Sequence, residues 1–143
     1  GNVYQQETGS SFNSEDIVAV YSTPYLDFGE TEQRKVMRKI NTFIRAEGPI
    51  EMLLSVTYDW GDPDVSVPTT YSQTSAGAPT IYNGRGIDYG ATNIIYGGSS
   101  KPIITSDVQG SGFATQATIV TVGQQSSYTI QGMVFEFSAA GRR

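Results

Sequence analysis

The amino-acid sequence predicts an all-β protein, an antiparallel β-sandwich that carries a long glycine-rich insertion. Apolar and polar residues alternate through 50–60, which is the period of a strand with one buried face. Two segments rich in β-branched and aromatic residues, 113–122 and 127–137, close the chain. Residues 61–112, by contrast, hold 9 of the 16 glycines and contain only short apolar runs. Short strands within an exposed insertion are therefore expected there.

The length of 143 residues suits a single domain with a sizeable core. We predict that 16–143 form the sandwich, with the insertion at about 61–112. Residues 1–15 are interpreted as a linker, or as a strand left over from an upstream β-unit. The chain begins at Gly1 without Met, which favours a piece of a longer protein. The first strand is expected at 16–22, where β-branched and aromatic residues precede Thr23-Pro24.

Residues 34–47 fit two interpretations. Val36, Ile40 and Ile44 lie on a helical stripe, but the same stretch also alternates with period two. A long strand is favoured, because Asn41-Thr42 would weaken a helix and Gly48-Pro49 make a hairpin-like break. Another hairpin loop is expected at 123–126, between the last two strands. The predicted core residues are Phe43, Met52, Leu54, Val56, Tyr58, Trp60, Met133 and Phe135.

Composition excludes several function classes. The chain has no Cys and no His, so it contains no disulfide, thiolate nucleophile or Ser-His-Asp triad. The net charge of −5 argues against a general nucleic-acid binder. No apolar run is long enough for a transmembrane helix, so no membrane partner is expected.

Acidic residues occur in two motifs that resemble functional sites. Asp27-Phe28-Gly29 matches a kinase magnesium motif without the rest of a kinase, and is interpreted as a turn capped by Asp27. Asp59, Asp62 and Asp64 could ligate calcium or act as a glycosidase pair, but turn formation beside Gly and Pro is favoured. We therefore assign no catalytic residues, cofactor or metal, and keep these three carboxylates as a weak metal candidate.

Partner contacts are predicted at exposed aromatic and basic side chains. The glycine-rich stretch holds Tyr82, Tyr89 and Tyr96, and the chain ends in Arg142 and Arg143. Tyrosines of this kind suit an interface or a sugar-stacking platform. The alternative is that most of the tyrosines pack within the core or across strands.

Both ends of the chain resemble C-terminal regions of tailed-bacteriophage structural proteins. The similarity lies in the blade-like run 1–9, the Thr-Pro-aromatic-Leu-Asp-Phe-Gly stretch 23–29 and the Arg-Lys pair 34–35. It continues in the final strand, 130–137, and in the Gly-Arg-Arg tail 141–143. Such domains often follow a β-propeller in tail-hub, nozzle or head-to-tail proteins.

The resemblance implies a non-enzymatic structural component of the virion that acts through subunit assembly. Its partners would be other virion proteins, in a homo-oligomeric ring that DNA can pass through without specific binding. The alternative function is a carbohydrate-binding β-sandwich module that holds a glycan through exposed tyrosines.

Overall fold

The computed structural model describes residues 11–12, 15–46, 50–64, 68–75, 103–123 and 127–142. These residues form two antiparallel four-stranded sheets, which confirms the predicted all-β sandwich. The strands are β1 (Ser11–Phe12), β2 (Glu15–Asp16), β3 (Ala19–Ser22), β4 (Gln33–Ala46), β5 (Ile50–Tyr58), β6 (Tyr71–Ser75), β7 (Ile103–Asp107), β8 (Ser111–Gly112), β9 (Thr115–Thr121) and β10 (Tyr128–Arg142).

The two sheets enclose the hydrophobic core between them. The β4 sheet has the order β10-β4-β7, with β8 also paired to β4, and the β5 sheet has the order β3-β9-β5-β6. A separate two-stranded sheet joins β1 and β2. The buried core residues come from both sheets and from the segment after β7, and they are Met37, Ile40, Ile44, Ala46, Ile50, Met52, Leu54, Val56, Tyr58, Ile104, Val108, Ala117 and Ile119.

The ambiguous stretch 34–47 is the 14-residue strand β4, so the helical alternative is wrong. Its pairing with β10 contains a bulge. Glu136 pairs with Lys39, but the next residue, Phe137, pairs with Met37, so Arg38 is an extra residue on β4. A bulge of this kind changes which face the following side chains occupy.

The bulge in β4 explains why Phe43, a predicted core residue, lies on the face of its sheet that points away from the core. Lys35 and Met37 are buried before the bulge, and Ile40 and Ile44 are buried after it. In an unbroken strand Phe43 would share the face of the buried Met37, but the extra residue Arg38 lies between them. Since β4 is a strand, Phe43 lies on the opposite face from Ile44 and is half-buried.

Strand β5 confirms the alternation predicted for 50–60 as far as Tyr58. Met52, Leu54, Val56 and Tyr58 are each at most 1 % exposed. The prediction that Trp60 continues this buried row is wrong, because the chain leaves the strand at Tyr58 and the Trp60 side chain is 70 % exposed.

The two predicted hairpins are both connections between sheets. β4 and β5 flank Gly48-Pro49, yet β4 belongs to one sheet and β5 to the other. The same is true of β9 and β10, which flank 123–126. Near the second connection, the hydroxyls of Thr121 and Tyr128 are hydrogen-bonded at 2.9 Å, so a polar contact links the sheets there.

Another polar contact crosses the core at the far side of the sandwich. Gln73 on β6 is 1 % exposed, and its Nε2 donates to Ser106 Oγ on β7 at 2.6 Å. Buried polar groups are costly unless they are paired. This bond therefore favours the arrangement in which β6 faces β7.

The described part of the predicted insertion, 61–112, contributes members of both sheets. β6 pairs with β5, while β7 and β8 pair with β4. The apolar run at Ile103-Ile104 thus forms β7. The other two apolar runs, 80–82 and 93–96, lie outside the described residues, as does most of the predicted leading segment. The predicted first strand, 16–22, is divided between β2 and β3.

Strand β10 also contains a bulge, at Gln131. Ile130 pairs with Ile44 and Gly132 pairs with Phe43, so Gln131 has no opposite residue on β4. The bulge changes the face that packs on the core. Tyr128 and Ile130 contact it before the bulge, and the predicted core residues Met133 and Phe135 contact it afterwards while remaining partly exposed.

The motif Asp27-Phe28-Gly29 is a turn, as predicted. The Asp27 carboxylate accepts a hydrogen bond from the Gly29 N–H at 3.0 Å, and Gly29 has a φ of 81°. The Phe28 ring lies 5.5 Å from the Phe135 ring and 4.7 Å from the Phe137 ring, measured between centroids. The turn thereby packs an aromatic ring against the middle of β10.

Tyr58 is a large buried side chain that fits because two glycines lie against it. The Tyr58 hydroxyl donates to the Gln109 carbonyl at 2.8 Å. A Cβ on Gly112 would lie 2.9 Å from Tyr58 Cβ, and a Cβ on Gly110 would overlap the phenol ring. Gly110 also has a φ of 117°, which side chains rarely adopt.

Replacing Gly110 with alanine should therefore destabilise the fold. We expect Gly110→Ala to lower the free energy of unfolding by about 2–4 kcal/mol, from overpacking and backbone strain together. Gly132→Ala is the matched control, because a Cβ at Gly132 meets nothing within 4 Å. Urea unfolding measures both, and equal stabilities of the two variants would contradict the role given to Gly110.

Tyr58 should also make the fold sensitive to alkaline pH. Burial raises the pKa of the Tyr58 hydroxyl above its ordinary value, and Tyr71 raises it further. The unfolded chain loses this proton near pH 10 while the folded chain keeps it, so stability falls as pH rises above about 10.

The variant Tyr58→Phe should be less stable than the natural chain at neutral pH by about 1 kcal/mol, because it lacks the bond to Gln109. The difference should shrink as pH rises beyond 10, when only the natural chain loses stability through this group. Urea unfolding of both proteins between pH 7 and 11 provides the measurement. Parallel pH curves would refute the assignment.

Candidate functional site

The first candidate site is built on the turn that ends β5. Three consecutive residues of the 3-10 turn have positive φ, at 47° for Asp59, 58° for Trp60 and 75° for Gly61. For residues other than glycine this backbone is strained and needs support from its surroundings. Support comes from the Asp59 carboxylate, which accepts the N–H groups of Phe113 at 2.6 Å and Ala114 at 3.1 Å.

The turn presents Trp60 to solvent. Its indole ring lies 5.8 Å from the ring of Tyr25, with 33° between the ring planes. The Tyr25 hydroxyl donates to Thr57 Oγ1 at 3.3 Å, and Thr57 also bonds the Gln116 side chain at the same distance. Trp60 is thus supported on one side by a ring that is itself held by the β5 sheet.

An open cleft of about 500 Å³ lies beside the indole ring. It is lined by Thr31, Glu32, Trp60 and Phe113. The Arg34 guanidinium lies 6.0 Å from the centre of the Phe113 ring. The cleft therefore combines two aromatic rings with a carboxylate and a hydroxyl.

A buried lysine ties the two walls of the cleft together. Lys35 is 1 % exposed, and its ammonium donates to the carbonyls of Glu30 and Phe113, the latter at 3.0 Å. Glu30 is next to Thr31 and Glu32 of the lining, and Phe113 is itself part of the lining. Because a buried charge needs its hydrogen bonds, Lys35 fixes the distance between these segments.

The three aspartates of the weak metal candidate form backbone contacts. Asp59 caps the segment at 113–114, as described above, and Asp62 Oδ1 accepts the Asp64 N–H at 2.9 Å. Within the described ranges, no three acidic residues gather into a group that could hold a metal ion. Asp62 has the geometry of a turn-forming side chain, whereas Asp59 bonds a segment that is distant in the sequence.

The second candidate site is an apolar row on the outer face of the β5 sheet. Val20 on β3 pairs directly with Val120 on β9, which pairs with Leu53 on β5. Val20 is 63 % exposed and Leu53 is 38 % exposed. We call these three residues the apolar row. Further exposed apolar side chains near its β3 and β9 ends are Ile17, Val18, Tyr21 and Val122.

Most residues predicted to bind partners lie outside the described part of the chain. These are Tyr82, Tyr89, Tyr96 and Arg143. Arg142 is the last residue of β10 and pairs through its backbone with Gln33. Their predicted roles therefore stay predictions.

Both candidate sites contain residues that sequence reasoning missed. Trp60 was assigned to the core by extending the β5 alternation two residues too far. The signal that could have corrected this was Gly61-Asp62-Pro63, whose turn preference acts on the residues before it as well. The apolar row was missed because its members lie on three strands whose pairing the sequence did not reveal.

Comparisons of the chain with protein-family models, with curated proteins and with solved structures find no match. None of the helical segments in the described ranges has the length and apolar character needed to cross a membrane.

The capping role of Asp59 predicts a large loss of stability when its carboxylate is removed. Asp59→Ala should lower the free energy of unfolding by about 2–4 kcal/mol, since two N–H groups lose a charged acceptor and alanine disfavours positive φ. Asp62→Ala is the control and should cost less than about 1 kcal/mol, because its exposed carboxylate accepts one bond. Thermal unfolding followed by circular dichroism compares them, and an equal loss would contradict this role.

Proposed function

We propose that the chain is a structural component of a tailed-phage virion, in its tail or head-to-tail region, and that it acts through subunit assembly. The resemblance of both chain ends to such proteins supports the phage assignment. The observation that carries the assembly mechanism is the apolar row on the outer face of the β5 sheet, in which Val20 and Leu53 are exposed and Val120 is half-buried.

An exposed apolar patch of this kind favours a protein partner. Side chains directly opposite on neighbouring strands lie about 5 Å apart, so the three residues form one continuous surface. Val20 pairs with Val120 and Val120 with Leu53, without a polar residue between them. Contiguous apolar surface with a polar rim is typical of sites where proteins associate.

The charge distribution favours a second acidic subunit as that partner. The chain carries a net charge of −5, so two copies repel each other over most of their surfaces. Residues 17–26, which include β3, contain no charged side chain. A contact between copies through β3 therefore brings no charged side chain of that strand against the other copy.

The position of β3 adds a backbone component. β3 is the end strand in the order β3-β9-β5-β6, and among the described strands it pairs only with β9. A free strand edge can accept a strand from another chain. If that strand comes from a different surface of the next subunit, the contact is head-to-tail, and it forms a ring when the rotation between subunits closes.

Variants of the apolar row test the assembly proposal. Val20→Lys and Leu53→Lys should each weaken self-association at least tenfold, because a lysine charge would be desolvated at the contact. Val134→Lys is the matched control, since Val134 is 47 % exposed on β10 in the other sheet. Native mass spectrometry and sedimentation velocity measure the oligomers.

The natural protein and the Val134→Lys variant should form ring-sized species, and the row variants should be monomeric with unchanged circular dichroism. A strictly monomeric natural protein would overturn the assembly mechanism. The phage assignment has its own test, which is mass spectrometry of purified virions from a source that encodes the chain. Absence of the protein from those particles would overturn it.

A further inference from the structure

We infer that the cleft beside Trp60 binds a neutral sugar ring of an oligosaccharide. This function is separate from assembly, because the cleft and the apolar row share no residue. It also places glycan recognition at a different point of the chain from the predicted tyrosines Tyr82 and Tyr89.

The backbone holds Trp60 outward at an energetic cost. Positive φ at both Asp59 and Trp60 is unfavourable, and the two bonds from Phe113 and Ala114 to the Asp59 carboxylate offset it. The result is an indole ring with 70 % of its surface in water. Strain that exposes a large apolar ring points to a ligand that covers the ring.

The chemistry of the lining matches a sugar. One face of a pyranose ring presents C–H groups that pack flat on an aromatic ring, and its edge carries hydroxyls. In the cleft, Trp60 and Phe113 supply aromatic surface, while Glu32 and Thr31 can bond the hydroxyls. The volume of about 500 Å³ is within the usual range for small-ligand sites.

Charge and ring geometry favour a neutral sugar over other ligands. The Glu32 carboxylate is part of the lining, whereas the Arg34 guanidinium is engaged by Ser111 and the Phe113 ring, so sugars that carry carboxylate or sulfate groups are disfavoured. A proline-rich peptide would need grooves between exposed aromatic rings. Here Tyr25 packs on the indole itself, which leaves Trp60 one open side.

The cleft is also preorganised. The Lys35 ammonium holds both walls through the Glu30 and Phe113 carbonyls. Arg34 bonds Ser111 Oγ at 3.0 Å and lies over the Phe113 ring. Binding therefore requires little ordering of the protein, which favours affinity.

The single tryptophan of the chain makes the test direct, because all tryptophan emission comes from this site. The probes are neutral hexose and N-acetylhexosamine oligosaccharides, sialylated counterparts and a proline-rich peptide. We expect a saturable change in Trp60 emission and protection from acrylamide quenching with at least one neutral oligosaccharide. Its sialylated counterpart should bind more weakly.

Calorimetry on variants then locates the site. Trp60→Ala should weaken binding at least tenfold and Glu32→Gln about threefold, while Tyr21→Ala, an exposed tyrosine on β3, should bind normally. Val20→Lys should also bind normally, which separates this inference from the assembly proposal. No saturable response to any neutral oligosaccharide would overturn the inference. A response to the peptide alone, or loss of sugar binding on Tyr82→Ala or Tyr89→Ala but not on Trp60→Ala, would overturn it too.

Discussion

The structure depends on how the end of β5 is joined to the segment 108–115. Along this segment the chain leaves the β4 sheet, where the Met37 N–H donates to the Gly110 carbonyl, and enters the β5 sheet at β9. Two consecutive residues at the end of β5 hold this crossing in place. The Tyr58 side chain packs against Gly110 and Gly112, and the Asp59 carboxylate accepts hydrogen bonds from the N–H groups of Phe113 and Ala114. This crossing is therefore one of the places where the two sheets are joined, and the exposed Trp60 is the next residue along the chain.

Local pattern was sufficient to predict most strands, because alternation is a property of neighbouring residues. The strands β4, β5 and β10 fall where period two and turn residues indicated them. Which strands pair with each other is not a local property, because paired strands can lie far apart in the sequence. Gly48-Pro49 satisfies the turn chemistry of a hairpin, yet β4 pairs with β10 at the other end of the chain. The hairpin predictions failed for this reason.

The bulges at Arg38 and Gln131 also limited how well the sequence could predict which side chains face the core. Each adds one residue to one strand, and each is visible only against the partner strand. Lys35 illustrates the result, since a lysine in a charged run is normally solvated, but here it is buried on carbonyls from distant segments. The Trp60 cleft could not be predicted either. Its lining is brought together by the Lys35 ammonium, which donates to the carbonyls of Glu30 and Phe113, and these two residues are far apart in the sequence.

The long pairing of β4 with β10 has a consequence for synthesis of the chain. Arg34 pairs with Ala140, and β3, near the start of the described residues, pairs with β9. Neither sheet can be completed until the last strands have left the ribosome. Contacts between residues so far apart in sequence also slow folding. Until then β3 lacks β9, its partner strand, and β4 lacks β10, its longest partner, so nascent copies on one message are exposed to pairing with each other.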